Sequence, residues 1–158
     1  MIILGIDPGT ATTGYGVVQK EGRNFVPIEY GCILTKAGTD PGMRLIKIEE
    51  NLTKIIDKYH PEEVAVEKLF FLKNLKTGIE VAQARGVIIF SLAKAGIKTY
   101  GYTPLEVKSS VTGYGQATKN QVQKMVQRIL DLETIPRPDD AADALAIAIC
   151  HGCRMRIG

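Results

Sequence analysis

Cysteine and histidine are scarce in this chain of 158 residues, which contains three cysteines and two histidines. An odd and low cysteine count does not support a disulfide framework, so we expect reduced thiols. No apolar run approaches the roughly 20 residues that a membrane-spanning helix needs, and Met1 leads into an apolar segment without a basic, signal-like leader. We therefore expect a cytoplasmic protein with no membrane partner.

Repeats, low-complexity tracts and linkers rich in serine or proline are also absent from the sequence. Hydrophobic residues make up 45% and charged residues 23% of the chain, which places it among globular rather than disordered or collagen-like proteins. The mass of 17.3 kDa is that of one ordinary domain with a real core. We predict a single domain over residues 1–158.

The modest net charge of +3 conceals an uneven distribution. The segment from Lys68 to Arg128 has ten lysines or arginines against two acids, a charge of +8, whereas the other residues have ten bases and fifteen acids, a charge of −5. A basic segment beside an acidic remainder favours a polyanionic partner that contacts part of the surface. Chance clustering of surface charge is the alternative.

Three strand-like runs open the chain, at residues 2–7, 14–18 and 25–34, and the turn at 21–24 favours an antiparallel meander. The helical period then runs from Leu45 to Tyr59. The strand that follows this crossover helix should be parallel to the first strand. The later predicted elements are that strand at 64–67, a helix at 78–95, a strand at 97–102, a helix after a capping box at 118–121 and a last helix from Pro138.

The order βββ-α-β-α-β-α-α predicts an α/β domain: a mixed five-stranded sheet, three antiparallel strands followed by parallel strands, with helices on both faces. The predicted helix at 78–95 is apolar around most of its circumference. Such a helix needs two partners, so one face can cover the sheet and the other can meet a second subunit.

Four acidic residues occupy positions typical of catalytic acids. Asp7 and Glu67 end the first and fourth predicted strands, and Asp140 and Asp143 share one face of the last helix. Carboxylates held close together raise each other's pKa, and divalent cations relieve that repulsion. An all-oxygen ligand set favours Mg²⁺ or Mn²⁺. Two such ions about 4 Å apart would activate a water for phosphodiester hydrolysis, so no histidine base is needed.

Structural explanations compete for two of these acids. Asp7 precedes Pro8 and Gly9 and could be a turn residue, and Asp140 could be a helix cap. Asp143 lies among alanines and Glu67 follows an apolar run, so a charge at either position requires a partner.

A zinc site is the alternative use of metal-binding residues near the end of the chain. Cys150, His151 and Cys153 have a suitable spacing, but a structural zinc needs four ligands and only Cys32 and His60 remain elsewhere. We interpret this segment as the end of the last helix.

Four segments resemble the motifs of the RuvC-type Holliday-junction resolvases, in order and at the spacing of that family. They are residues 3–10 (ILGIDPGT), 67–74 (EKLFFLKN), 82–86 (AQARG) and 140–146 (DAADALA). The resemblance spans nearly the whole chain. It implies a ribonuclease H-like fold, a homodimer, and magnesium-dependent, paired cutting of strands of like polarity at a four-way DNA junction. It also implies association with a branch-migration complex of the RuvA and RuvB type.

The resemblance assigns the metal-binding acids to Asp7, Glu67, Asp140 and Asp143. Some members of the family have histidine at the third of these places, so this chain follows the all-carboxylate version. The implied cofactor is Mg²⁺, with Mn²⁺ as a substitute and two ions per subunit.

The resemblance also suggests residues that contact DNA. Phe70 matches the aromatic residue that stacks on the junction, although Phe71 beside it leaves the register open, and Lys108 and Lys119 match lysines of the catalytic pocket. Lys119 opens a capped helix and is predicted to be catalytic. Three further residues follow the phenylalanines in a predicted loop, where they would contact the DNA backbone unless they are simply solvated: Lys73, Asn74 and Lys76.

Other functions remain open at this point. Residues 7–13 also resemble the phosphate loop of actin-like kinases and ATPases, although those proteins close two lobes around a nucleotide and this chain can supply one. A nuclease acting on RNA strands would keep the acids and change the substrate. A module that binds branched DNA without cutting it would need the basic surface but not four acids.

Overall fold

The computed structural model describes residues 1–69 and 74–155. Within these residues the chain forms five strands and five helices. In chain order they are β1 (Ile2–Asp7), β2 (Thr12–Glu21), β3 (Asn24–Leu34), α1 (Pro41–Tyr59), β4 (Glu63–Glu67), α2 (Leu75–Lys94), β5 (Lys98–Tyr102), α3 (Pro104–Thr112), α4 (Lys119–Ile129) and α5 (Asp139–Arg154).

The five strands make one mixed sheet in the order β3-β2-β1-β4-β5. The first three strands are an antiparallel meander, whereas β4 is parallel to both β1 and β5. The predicted mixed sheet is therefore confirmed. Because β1 and β4 run side by side with Ile6 opposite Val66, the residues that follow, Asp7 and Glu67, lie at the same edge of the sheet.

Helices cover both faces of the sheet, as predicted. On one face α1 and α2 pack against apolar side chains that include Leu4, Val17 and Val64. On the other face α3, α4 and α5 enclose a second apolar cluster around Ile3 and Ala65. Among the helices of the described residues, none is long and apolar enough to cross a membrane.

Helix α5 packs closely against the sheet because glycines face it. A Cβ atom added at Gly5 would overlap the backbone of Ala144, and one added at Gly14 would overlap the backbone carbonyl of Asp140. Backbone contacts at these glycines therefore determine how closely the helix approaches the sheet.

A buried polar cluster fixes the other end of α5. His151 is hydrogen-bonded through Nδ1 to the Tyr102 hydroxyl at 2.7 Å and through Nε2 to the Glu63 carboxylate at 2.6 Å. Tyr100 also donates to Glu63, at 3.1 Å. These contacts tie the end of α5 to β4 and β5, so the helix is held at both ends.

The structure corrects the predicted elements in two places. Helix α3 was missing from the predicted order because Thr103 and Pro104 indicated only the end of a strand. Thr103 instead forms a capping box with Glu106, and Pro104 occupies the first helical turn. Helix α2 begins at Leu75 rather than at residue 78 because the Asn74 side chain accepts hydrogen bonds from the first-turn backbone.

Candidate active site

Two of the predicted acids lie on neighbouring strands. Asp7 ends β1 and Glu67 ends β4, and both side chains are partly buried at the same sheet edge. Their carboxyl groups are close enough for Asp7, when protonated, to donate a hydrogen bond to Glu67. The Arg85 side chain of α2 donates from Nε to the Glu67 carbonyl at 3.1 Å, which fixes the end of β4.

The other two acids reach this edge from the first turns of α5. Asp140 and Asp143 are three residues apart and so project from one face of the helix. One carboxylate oxygen from each of Asp7, Asp140 and Asp143 lies within 4.8 Å of the others. The structure thus brings all four predicted acids into one crevice, with Glu67 beside Asp7.

Burial and mutual repulsion make the ionised forms of the carboxyl groups in this crevice unfavourable. Burial, followed by repulsion from Glu67 and Asp143, raises the pKa of Asp7 to about 9. Burial also raises the pKa of Glu67, against the opposing effects of the Asp7 hydrogen bond and of Lys108. The pKa of Asp143 is raised by burial too, although Lys119 opposes the shift. With its pKa at about 9, Asp7 is expected to hold its proton at neutral pH unless a cation displaces it.

Lysines partly compensate this charge. Lys119, in the first turn of α4, lies 3.3 Å from Asp143 and 3.6 Å from Asp139. Its pKa is lowered by burial but raised more strongly by these carboxylates, so it stays charged. Lys108 of α3 lines a cavity of about 230 Å³ together with Lys119, Glu67 and Asp143. Both predicted pocket lysines therefore face the acids.

The donor set fits a hard divalent cation. The three carboxylates within 4.8 Å of one another and the adjacent Glu67 supply only oxygen ligands, the type that Mg²⁺ and Mn²⁺ prefer. Burial is the main cause of the raised pKa values of Asp7, Glu67 and Asp143, and the nearby lysines only partly oppose it at Glu67 and Asp143. A cation would supply further positive charge.

The predicted DNA-contacting residues are described only in part. Phe70 and Lys73 lie outside the described residues. Asn74 caps α2 through its side chain, and Lys76 belongs to the first turn of that helix. The prediction that Lys76 lies within a loop was wrong, since α2 begins at Leu75, whereas Asn74 lies just before the helix and caps it.

Two residues that support the site were not singled out as site residues by the sequence analysis. Arg85 of α2 fixes the backbone of Glu67. Its position in the AQARG segment was the only sequence feature that indicated a role for it. Asp139 shares Lys119 with Asp143 and is also paired with Arg137. Its position beside Asp140 had been interpreted only as the start of a helix.

Comparison with known proteins identifies the family. The model of the family described as crossover junction endodeoxyribonuclease RuvC matches residues 3–151. The chain belongs to the RuvC family. The RuvC of Halothermothrix orenii is 53% identical over 99% of this chain and 95% of its own length, and the RuvC of Syntrophomonas wolfei is 55% identical over 96% of this chain and 88% of its own length.

Solved RuvC structures agree with this assignment. The structure of Thermus thermophilus RuvC in complex with a Holliday junction substrate superposes with a TM-score of 0.91 at 35% identity, covering 96% of this chain and 92% of that one. The yeast mitochondrial resolvase Ydc2 shares the fold, with a TM-score of 0.68 at 14% identity, over 96% of this chain and 78% of that one. The RuvC match includes all four clustered acids and both lysines of the cavity.

Proposed function

We propose that this chain is a Holliday-junction resolvase that hydrolyses phosphodiester bonds in four-way DNA junctions during recombination and repair. The observation that carries the proposal is the convergence of Asp7, Asp140 and Asp143, with Glu67 beside Asp7. The substrate follows from the RuvC relatives, one of which is described with a Holliday junction. Residues 1–158 would act as one nuclease domain.

Asp7, Glu67, Asp140 and Asp143 would hold the metal, which we propose to be Mg²⁺, replaceable by Mn²⁺, with two ions per subunit. Bound there, the metal would supply positive charge to the phosphate in the transition state and lower the pKa of a water nucleophile. Two ions suit the charge of four carboxylates better than one does.

The protein's own residues orient the site and bind the substrate. Arg85 fixes the backbone that carries Glu67, and the packing of α5 against Gly14 fixes Asp140. A phosphate that enters the cavity beside these acids meets the ammonium groups of Lys108 and Lys119. We propose that Lys119 is catalytic because it reaches both the acids and this cavity.

The remaining predicted partners are proposals of the same kind. Leu75, Ile79 and Phe90 form an exposed apolar stripe on α2, a surface suited to a homodimer whose two active sites could cut strands of like polarity. Phe70 would stack on junction bases, and Lys73, Asn74 and Lys76 would contact the DNA backbone nearby. Association with a RuvA and RuvB type complex follows the family alone.

Asp7→Asn tests the proposed chemistry. We expect the variant to bind a four-way junction as the wild type does but to lose Mg²⁺-dependent cleavage. The loss should exceed the roughly 10- to 100-fold that follows removal of an outer-shell partner of a metal ligand. Binding is measured by fluorescence anisotropy with chelator present, and cleavage in single turnover with Mg²⁺.

Asp57→Asn is the matched control because it makes the same chemical change at an exposed position on α1. It should retain both activities. Full cleavage by Asp7→Asn would contradict the mechanism. Cleavage of an RNA-DNA hybrid in preference to a mobile four-way junction, or junction binding by the wild type without Mg²⁺-dependent cleavage, would contradict the proposed function.

A further inference from the structure

The loop that follows Asp7, residues 8–11, is anchored by a residue from outside the predicted site. The Thr35 hydroxyl donates to the Thr10 carbonyl at 2.6 Å, and the Thr35 backbone N–H donates to the Ala11 carbonyl at 3.0 Å. These two bonds connect the loop between β1 and β2 to the segment after β3. The end of the loop that follows Asp7 is therefore held in place by Thr35.

Thr35 is in turn oriented by an arginine. Arg44, in the first turns of α1, donates from Nε to the Thr35 hydroxyl at 2.8 Å. Thr35 is only 8% exposed, so its hydroxyl accepts from Arg44 and donates to Thr10 away from most solvent. Hydrogen bonds in such a chain strengthen one another, and the charged donor strengthens the first.

Among the residues that the structure describes, no carboxylate pairs with the outer part of the Arg44 guanidinium. In residues 1–69 and 74–155, no carboxylate oxygen lies within 4.0 Å of it, although Asp40 is one helical turn away. The residue is only partly buried, and its one side-chain hydrogen bond in these residues uses Nε. A guanidinium held at Nε presents its Nη groups as a planar fork, which suits a phosphate.

Arg44 also lies at the right edge of the sheet. Thr12 at the start of β2 pairs with Leu34 at the end of β3, and Asp7 at the end of β1 pairs with Gly14. Thr35 and the start of α1 therefore follow β3 at the edge where Asp7 lies. This position is outside the basic segment 68–128 that the charge distribution singles out.

We propose that Arg44 binds a backbone phosphate of the DNA strand next to the active site and, with Thr35, positions the loop that follows Asp7. The Nε end of the guanidinium fixes the loop, and the Nη end takes the phosphate. DNA binding would then tighten the loop. This inference rests on the proposed junction-cleaving function, and it adds a positioning pair and a phosphate contact to it.

The phosphate contact is tested by the salt dependence of binding. Affinity for a four-way junction is measured by anisotropy, with chelator, over a range of salt concentrations. Arg44→Ala should reduce the slope of log affinity against log salt by about 1, the value for one lost phosphate contact, while Arg44→Lys keeps the slope. Lys58→Ala is the control, because it removes an equal charge at the far end of α1.

The positioning role is tested separately with Thr35→Val, which removes the hydroxyl and keeps every charge. We expect an unchanged salt slope but a single-turnover cleavage rate about 10- to 100-fold lower at saturating DNA, because a small misplacement of a catalytic group has that effect. Thr35→Ser keeps the hydroxyl and should restore the rate. Thermal melting shows that each variant is folded at the assay temperature.

The two proposals fail in different ways. If the wild type does not cut junctions, the proposed function is contradicted. If the wild type cuts them and Arg44→Ala matches Lys58→Ala in slope, the phosphate contact is wrong. If folded Thr35→Val cuts as fast as the wild type, or Thr35→Ser is as slow as Thr35→Val, the positioning role is wrong.

Discussion

Asp7 combines two properties that conflict without a cation. It ends a buried central strand, and it lies against Glu67 and near Asp143, so burial and repulsion raise its pKa from 3.8 to about 9. In the unfolded chain the same group should ionise near its ordinary value. The folded protein therefore binds a proton that the unfolded chain releases, and the free energy of unfolding falls as the pH rises between about 4 and 9.

Because the free energy of unfolding of the wild type falls with rising pH, we predict that Asp7→Asn is more stable than the wild type at pH 8 with chelator present. A gain of 1 kcal/mol would raise the Tm by about 2–4 °C in a chain of this size, and we expect at least that. The gain should be much smaller at pH 4.5, close to the ordinary pKa at which the unfolded chain also takes up this proton. Mg²⁺ should reduce it too, because the ion stabilises the wild type. Melting curves at the two pH values, with and without Mg²⁺, measure the effect.

Asp139→Asn is the control for this prediction. Its slight burial raises the pKa of Asp139, but Lys119 and Arg137 outweigh that effect and the pKa is lowered. Removing its charge should therefore give no stabilisation at pH 8. A wild-type Tm equal to that of Asp7→Asn at pH 8 without metal would show that Asp7 is not strained by its neighbours.

Sequence reasoning could predict the acids because their positions follow simple rules. Neighbouring parallel strands end at one edge, which brings Glu67 to Asp7, and a spacing of three residues places Asp140 and Asp143 on one helix face. The Arg44 and Thr35 pair could not be predicted, because it joins a loop end to a helix turn through side-chain geometry that no local pattern encodes.

At the scale of whole elements, α5 determines where half of the acids lie. The helix approaches the sheet so closely that Gly14 has no room for a Cβ beside the Asp140 carbonyl. Sequence periodicity predicted this helix but not its distance from the sheet, because that distance depends on which residues of the sheet face the helix. Short α3 was missed for a related reason: nine residues around one capping box provide too little periodicity to indicate a helix.

Gly14→Ala should therefore displace the start of α5. We expect a loss of about 1–3 kcal/mol in the free energy of unfolding, as for other overpacked sites, together with slower junction cleavage by the folded protein. Gly22→Ala is the control: its positive φ makes alanine cost about 1–2 kcal/mol, but its surroundings are open and it lies in the turn between β2 and β3. Urea unfolding gives the stabilities, and single-turnover cleavage under native conditions gives the rates. Equal rates for the two variants would contradict the role of Gly14.

At the scale of the whole molecule, charge and apolar surface are separated. The acids converge at one sheet edge with two lysines beside them, whereas α2 carries its exposed apolar side chains along its outer face. Leu75, Ile79 and Phe90 are 78%, 51% and 64% exposed, and their spacing places them on one stripe. The sequence predicted a second partner for this helix. It could not predict which side chains form the exposed stripe, because that depends on which face of the helix packs against the sheet.

Phe90→Glu tests whether that stripe pairs two copies of the chain. We expect the wild type to have twice the 17.3 kDa chain mass by light scattering and Phe90→Glu to have the mass of a single chain, because a carboxylate in an apolar interface has no partner. The monomer should nick a junction in one strand more often than it resolves it, since paired cutting needs two sites on one junction. Ile46→Glu is the control, as it puts the same charge on a side chain that is 48% exposed on α1. A dimeric, resolving Phe90→Glu would exclude this stripe as the interface.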